Sequence, residues 1–269
     1  MKANSLEKIN DHIYALCIPY KDIFTTVYFV KTAQGALLFD TATYDCDIED
    51  AVIPALYQLG IEENDLKYVF ISHNHTDHAG GLSRLLASYP KVCVVSRSEA
   101  LRDKFASYTV LLPREGEILL NDLSVVFVTG HTQDSAALYD SRTKTLISGD
   151  SLQLYGIFGS GKWGANISFS SEYAEKIQKL REMDLDAILT AHGYHPCGRM
   201  YFGKTEIEAA LDACLAPFGL IQRLMDAAPD ADDETICERS NAKGDLPTLG
   251  VHVIKKYREA ISGSDRWAV

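Results

Sequence analysis

HNHTDH, at residues 73–78, follows directly after LKYVFIS, an apolar run that predicts a buried strand. The stretch holds three histidines and one aspartate in six positions. Because side chains two apart in an extended backbone point the same way, His73 and His75 are predicted to share one metal ion. Asp77 and His78 lie where the chain turns into a predicted helix, beyond easy reach of that ion. They therefore indicate a second metal ion at the end of the strand.

Three later polar residues also end apolar runs. His131 follows VVFVTG, Asp150 ends TLISGD, and His192 falls at the end of AILTAHG. We predict that all three are loop residues at strand ends, where metal ligands on α/β scaffolds commonly lie. A tetrahedral zinc ion needs more than two protein ligands, so these three residues are candidates to complete the set. Five of the eight histidines fall in these positions, which argues against chance placement.

Composition and charge restrict the class of protein. The chain has 269 residues, of which 46% are hydrophobic and 23% charged, as in a globular protein with a sizeable core. Lys and Arg number 26 against 37 Asp and Glu, a net charge of -11 that disfavours nucleic acid as a partner. The six cysteines form no CxxC pair and are predicted to be reduced thiols.

No apolar run approaches the ~20 residues that a membrane-spanning helix needs. The amino-terminal stretch MKANSLEKINDHIYAL has no uninterrupted apolar segment of the secretory type. We therefore expect a cytoplasmic protein with no membrane partner, acting on a small molecule.

The order of predicted elements is strands, βαβα, strands, αβ and a helical tail, which favours a mixed α/β fold. Helices are predicted over 48–59 and 78–89, and the acidic stretch 228–235 is predicted to be an exposed turn. We expect a catalytic domain over 1–202 and a C-terminal helical extension, 203–269, packed on the same domain.

The motifs together resemble the metallo-β-lactamase superfamily of hydrolases. The resemblance covers roughly residues 10–200 and rests on HNHTDH with Gly80-Gly81, GHT at 130–132, GD at 149–150 and AHG at 191–193. It implies a four-layer αβ/βα sandwich with the metals at one edge between two sheets. GALLFD, at residues 35–40, fits the first motif of the family. Asp40 would then be the buried aspartate that orients the metal-binding loop by hydrogen bonds without binding metal.

The resemblance also implies a ligand set for two ions. One ion would be held by His73, His75 and His131, the other by Asp77, His78 and His192, with Asp150 bridging both. Two zinc ions are expected, although these ligand types also suit iron or manganese. A hydroxide bridging the metals would attack the substrate, and Asp77 would be the catalytic residue that orients this hydroxide or receives its proton.

The expected substrate is a small ester, thioester or lactone, because the pattern looks more like glyoxalase II and the acyl-homoserine lactonases than like true β-lactamases. The stretch YGIFGSGKWGAN follows Asp150 and supplies Tyr155 and Trp163 as candidate substrate contacts. Tyr194 and His195 are further candidates. The alternative for these side chains is an ordinary place in the core or on the surface. The helical tail would cap the substrate cleft or, alternatively, form a homodimer contact.

The sequence leaves three alternatives open. One is an iron-dependent oxidoreductase on the same fold, like persulfide dioxygenases or flavodiiron proteins, although the latter usually have Glu where this chain has His75. A phosphodiesterase is the second, with RNA processing disfavoured by the acidic charge and the short span from His78 to His131. The third is a scaffold without catalysis, against which the complete ligand set argues.

Overall fold

The computed structural model of this chain describes residues 6–158, 163–164, 170–194 and 196–262. Two sheets carry the strands. The first sheet has seven strands in chain order, antiparallel from the first to the fourth and parallel from the fourth to the seventh. They are β1 (Leu6–Lys8), β2 (Ile13–Tyr20), β3 (Ile23–Thr32), β4 (Gly35–Phe39), β5 (Leu66–Phe70), β6 (Cys93–Val95) and β7 (Val110–Leu111).

Short helices connect the parallel strands of the first sheet, as parallel pairing requires a crossover. Leu82, Leu85 and Leu86 lie on one face of their helix and are buried in the core, together with Val69 of β5 and Leu38 of β4. The helices are α1 (Asp45–Asp47), α2 (Ile53–Gln58), α3 (Thr76–Ala79), α4 (Leu82–Ser88) and α5 (Glu99–Lys104), with a π-helical stretch (Ile48–Val52) between α1 and α2.

The second sheet has eight strands. Their order is β13-β12-β14-β11-β10-β9-β8, and β15 pairs with β14. The strands are β8 (Ile118–Leu119), β9 (Leu123–Phe127), β10 (Ala136–Asp140), β11 (Thr145–Gly149), β12 (Ile157–Phe158), β13 (Trp163–Gly164), β14 (Ala187–Tyr194) and β15 (Gly198–Phe202).

Longer helices lie in the carboxyl-terminal half of the chain. Tyr173, Phe218 and Tyr257 come from three of them and are buried together, with the rings of Phe218 and Tyr257 in an edge-to-face contact at 4.6 Å. The helices are α6 (Ser170–Glu182), α7 (Gly203–Ala227), α8 (Asp233–Lys243) and α9 (Val251–Ser262).

Contacts within the chain define two compact units, Met1–Val126 with Ala136–Arg142, and Phe127–Ser135 with Thr143–Val269. Within the second unit α7 contacts α6, β15 and β14. The domain boundary at residue 202 and the packing of 203–269 on a catalytic domain stay predictions. None of the helices in the described part of the chain combines the length and the apolar character that crossing a membrane requires.

Several predicted elements differ from the structure in detail. The helix predicted over 78–89 is divided into α3 and α4 at Gly80-Gly81. Helix α8 was not predicted, and the turn predicted over 228–235 overlaps its start. There the Asp232 carboxylate accepts a hydrogen bond from the backbone N–H of Thr235 and caps the helix.

The placement of His192 in a loop was wrong, because this residue lies inside β14. Pairing of β14 with β11 ends at Thr190, but two other strands extend it. Tyr194 pairs with Phe158 of β12 and with Gly198 of β15, so the strand continues past the predicted end. His131 lies in a loop and Asp150 in a turn directly after β11, as predicted.

Candidate metal centre

Parallel pairing of β4 with β5 positions the histidine-rich loop. Phe39 pairs with Phe70, so both strands end at the same edge of the sheet, and the backbone N–H of Asp40 donates to the Phe70 carbonyl at 2.8 Å. His75 keeps an extended backbone, with φ -85° and ψ 154°, and α3 begins at the next residue. The loop 73–78 therefore begins just beyond this edge.

Three imidazoles of this loop lie against one another. The ring centroid of His73 is 4.5 Å from that of His75 and 4.2 Å from that of His78. His73 and His78 are buried, whereas His75 is half-buried. Asp77 is partly exposed, with a carboxylate oxygen 3.6 Å from Nε2 of His78. The chain turn into α3 thus brings all four predicted ligands of the loop to one place.

Asp40 is fully buried and forms hydrogen bonds with Ser72 and His78, at the two ends of the histidine loop. One carboxylate oxygen, Oδ2, lies 2.7 Å from Nδ1 of His78 and accepts a hydrogen bond from the Ser72 hydroxyl at 2.9 Å. The other accepts the backbone N–H of Ser72 at 2.8 Å. A carboxylate on Nδ1 fixes the ring orientation and places the proton there, so Nε2 is the nitrogen suited to bind a metal. Asp40 therefore contacts the loop that carries the predicted ligands, and its orienting role stays a prediction.

The segment after β4 forms hydrogen bonds with the short helix α3 and with the glycine that follows it. The backbone N–H and the hydroxyl of Thr41 both donate to the His78 carbonyl, at 2.7 and 2.9 Å. Gly80 donates its N–H to the Ala42 carbonyl, and a side chain at this position would collide with the carbonyl oxygens of Thr43 and Thr76. The two backbones therefore approach too closely for any residue but glycine.

The remaining predicted ligands form a second buried cluster. Asp150 follows β11, and β11 pairs in parallel with β14, where Gly149 is the partner of Thr190. Asp150 and His192 consequently leave neighbouring strands at the same edge. One Asp150 oxygen lies 3.2 Å from Nε2 of His192, and the other lies 3.7 Å from Nε2 of His131.

Among the described residues, three groups of side chains have the spacing of a metal site. Within each group the ligand atoms, one per residue, lie within 4.8 Å of one another. Imidazole nitrogens and carboxylate oxygens are donors that suit zinc, iron and manganese, so the residues present fit a metal ion. The groups are His73, His75 and His131; His73, His78 and Asp150; and Asp77, His78 and His192.

The four predicted substrate contacts differ in their burial, and two of them are not fully described by the structure. Tyr155 is half-buried in a left-handed backbone conformation, with φ 51°, and burial raises the pKa of its hydroxyl. Tyr194 is buried, and burial together with the Asp150 charge raises the pKa of its phenol well above the usual value. The backbone of Trp163 belongs to β13, but its side chain lies outside the described part of the chain. His195 lies outside the described residues entirely.

Sequence reasoning missed two buried polar features. Gln153 is fully buried three residues after Asp150, and His12 lies with its Nε2 2.7 Å from the buried carboxylate of Asp140. Gln153 stands in the unremarkable stretch SLQLYG, and His12 and Asp140 are 128 residues apart. No local pattern in the sequence signals the burial of Gln153 or the contact between His12 and Asp140.

Comparison with known proteins gives the family. A family model described as the metallo-beta-lactamase superfamily matches residues 20–192, which is more than half of the chain. This chain belongs to the metallo-beta-lactamase superfamily. The matched segment of this superfamily member extends from β2 to His192 and includes every predicted metal ligand and Asp40.

The curated relatives of this superfamily member share one name. A hydroxyacylglutathione hydrolase from Synechococcus sp. (strain JA-3-3Ab) is 37% identical over 114 residues, which are 41% of this chain and 43% of the relative. Another from Gloeobacter violaceus is 28% identical over 189 residues, 69% of each protein. The chain spans less than half the length of the first of these relatives.

Solved structures of superfamily members confirm the predicted fold class. A metallo-beta-lactamase family protein from Thermus thermophilus matches with a TM-score of 0.64 at 18% identity, over 95% of both chains. A metallo-beta-lactamase from Pontibacter korlensis matches with a TM-score of 0.61 at 19% identity, over 78% of this chain and 98% of the other. At these identities the likeness concerns the fold alone.

Proposed function

We propose that this superfamily member is a metal-dependent hydrolase with two zinc ions bound by seven side chains. His73, His75 and His131 hold the first ion, Asp77, His78 and His192 hold the second, and Asp150 bridges them. The observation that carries the proposal is the spacing of the ligand atoms in the three groups, each within 4.8 Å. The family membership supports it, because the matched segment contains all seven residues.

The metal ions, Asp40 and Asp150 have distinct tasks in this proposal. The bound ions supply an activated water and polarise the oxygen of the scissile group. Asp40 keeps the proton of His78 on Nδ1 and therefore keeps Nε2 available as a donor. Asp150 has one oxygen near Nε2 of His131 and the other near Nε2 of His192, so its carboxylate would serve as a ligand to both ions.

We propose a small thioester, ester or lactone as the substrate class. The shared name of the curated relatives, hydroxyacylglutathione hydrolase, favours the thioester within this class. The test is a panel of thioesters, lactones and phosphodiesters, offered to protein whose metal content has been measured. Hydrolysis of a thioester or a lactone in proportion to bound zinc supports the proposal. Activity that needs iron and consumes oxygen, or that is confined to phosphodiesters, refutes it.

Asp77 is proposed as the residue that orients the attacking water or receives its proton. Its carboxylate is partly exposed, unlike the buried His78 beside it, so it can exchange a proton with solvent. We expect Asp77→Asn to reduce kcat by about 100-fold or more, the usual size of a proton-transfer contribution. The assay must report metal content beside kcat. A variant that keeps both metals and full activity would exclude the proton role.

A further inference from the structure

We propose that Gln153 is a positioning residue that fixes the turn carrying Asp150 relative to the strand carrying His192. The inference rests on the proposed function, because it takes Asp150 and His192 as metal ligands. It concerns a side chain that does not itself touch the metals, within the second compact unit.

The side-chain amide of Gln153 makes two hydrogen bonds that join the turn to β14. Its Nε2 donates to the backbone carbonyl of Asp150 at 2.7 Å and to the hydroxyl of Tyr194 at 3.3 Å. Tyr194 lies two residues after His192 on the same strand. The two hydrogens of one amide nitrogen therefore connect the Asp150 peptide to the end of the strand that bears His192.

The backbone of Gln153 forms a third hydrogen bond, to helix α6. Its N–H donates to the hydroxyl of Tyr173 on α6 at 2.9 Å. Tyr173 lies beside the thiol of Cys214 on α7, and each of the two groups influences the pKa of the other. Burial raises the pKa of Cys214 to about 12, so the thiol stays protonated and neutral in this contact. The network thereby links the helices α6 and α7 to the turn that follows β11.

Filling of space does not explain a glutamine at this position. Gln153 is fully buried, and its Oε1 has no hydrogen-bond partner among the residues that the structure describes. A buried amide oxygen without a partner costs free energy, which an apolar side chain of the same size would avoid. Such an apolar side chain could not form the two hydrogen bonds that Nε2 of Gln153 donates.

Loss of these bonds should act on metal binding. The carbonyl that Nε2 holds belongs to Asp150 itself, so rotation of that peptide moves the carboxylate relative to His131 and His192. Groups that orient metal ligands are typically worth about 10–100-fold in metal affinity. We therefore expect the effect of Gln153 to appear in the zinc dissociation constant.

The test compares Gln153→Met with Gln222→Met. Both replacements remove an amide and keep the volume, and the Gln222 amide on α7 donates to Asp226 on the surface. Zinc affinity is measured by chelator competition on protein shown to be folded by circular dichroism. We expect Gln153→Met to weaken zinc binding at least about tenfold. Gln222→Met should leave it unchanged. Zinc binding by Gln153→Met as tight as that of the wild type overturns the inference.

A second pair keeps the inference testable if Gln153→Met does not fold. Tyr173→Phe removes the hydroxyl that accepts the Gln153 N–H, while Tyr257→Phe removes a buried hydroxyl that has no hydrogen-bond partner among the described residues. We expect weaker zinc binding for Tyr173→Phe only. Equal zinc affinities for the two variants contradict the proposal.

Asp150→Ala separates this inference from the proposed function. If Asp150→Ala binds zinc as tightly as the wild type, Asp150 is not a ligand and the proposed function fails. If Asp150→Ala loses zinc while Gln153→Met and Tyr173→Phe keep it, only the positioning role of Gln153 fails.

Discussion

At the scale of single residues, the ligand-bearing loop depends on one buried carboxylate. Asp40 contacts His78 and accepts hydrogen bonds from the backbone N–H and the hydroxyl of Ser72. Its backbone has a left-handed conformation, with φ 64°. Such a conformation is unfavourable for a residue other than glycine, and it persists where the surroundings hold it in place. The contacts of Asp40 therefore link the end of β4 to the orientation of a proposed metal ligand.

Asp40→Asn tests this orientation. The amide of Asn can present its NH2 group to His78, which favours the wrong tautomer of the ring. We expect zinc affinity to fall about 10–100-fold while the protein stays folded. Asp47→Asn is the matched control, because Asp47 accepts hydrogen bonds from the backbone N–H groups of Thr43 and Tyr44 and touches no histidine in the contacts described. Equal zinc affinity for the two variants would refute the orienting role.

The thiol of Cys214 gives a prediction about pH. Its pKa, raised to about 12 by burial, leaves almost no thiolate at pH 8, and thiolate is the reactive form. We expect a disulfide reagent at pH 8 to modify the exposed Cys46 rapidly and to leave Cys214 unmodified in the folded protein. Mass spectrometry of peptides identifies the sites, and in denaturant all six cysteines should react. Rapid labelling of Cys214 in the folded state would contradict its burial.

Sequence alone predicted the residues whose signal is local. Spacing predicted that His73 and His75 lie close together, and their ring centroids are 4.5 Å apart, although the chain bends at residues 72–74 where the prediction assumed an extended backbone. The role of Asp40 came only from the resemblance, because its partner His78 is 38 residues away. Gln153 has no local signal, since its hydrogen bond to Tyr194 spans 41 residues.

At the scale of elements, the two glycines after the histidine loop determine where α3 ends and α4 begins. Gly80 packs its backbone against the segment after β4, where a Cβ would meet two carbonyl oxygens. The helix that the leucine pattern predicted is therefore divided in two. The leucine pattern indicates which face of the helix is buried, but it does not indicate that two backbones approach each other closely.

Gly80→Ala should destabilise the fold. We expect the free energy of unfolding to fall by at least about 2 kcal/mol, because backbone atoms must move to admit the methyl group. Gly219→Ala on α7 is the control, since its Cβ would meet only the end of the flexible Arg223 side chain. Alanine favours a helix over glycine, so this control should be at least as stable as the wild type. Urea titration of both variants provides the comparison, and a stable Gly80→Ala would contradict the packing described.

Of the two elements that sequence analysis misjudged, the end of β14 is defined by distant partners, whereas α8 carries a local signal. β14 continues through His192 because β12 and β15 pair with Tyr194, and no residue of AILTAHG indicates those partners. Helix α8 had a local signal in the Asp232 cap and in Gly244, which has φ 70° just after the helix. Its acidic composition outweighed that signal and favoured a turn.

At the scale of the whole molecule, a buried pair joins the start of β2 to the end of β10. His12 and Asp140 are both buried within the first compact unit, and the carboxylate also accepts the backbone N–H of Arg142. The pair connects the first sheet to a strand of the second sheet. No local pattern marks His12, because its partner is far along the chain.

His12→Leu should lower the free energy of unfolding by about 2–4 kcal/mol, since it removes a partner from a buried carboxylate. His252→Leu is the control, because His252 is exposed on α9 and should change stability by less than about 0.5 kcal/mol. Thermal and urea unfolding of the metal-free proteins measure both effects. Similar stabilities for the two variants would show that the buried pair contributes nothing.

Elemental analysis of the purified protein tests most directly whether seven side chains hold two metal ions. We predict about two zinc ions per wild-type chain, and a loss of bound zinc in Asp150→Ala that abolishes thioester hydrolysis. A wild-type chain that binds no metal when zinc is supplied, or an Asp150→Ala variant that keeps two tightly bound ions, would contradict the claim.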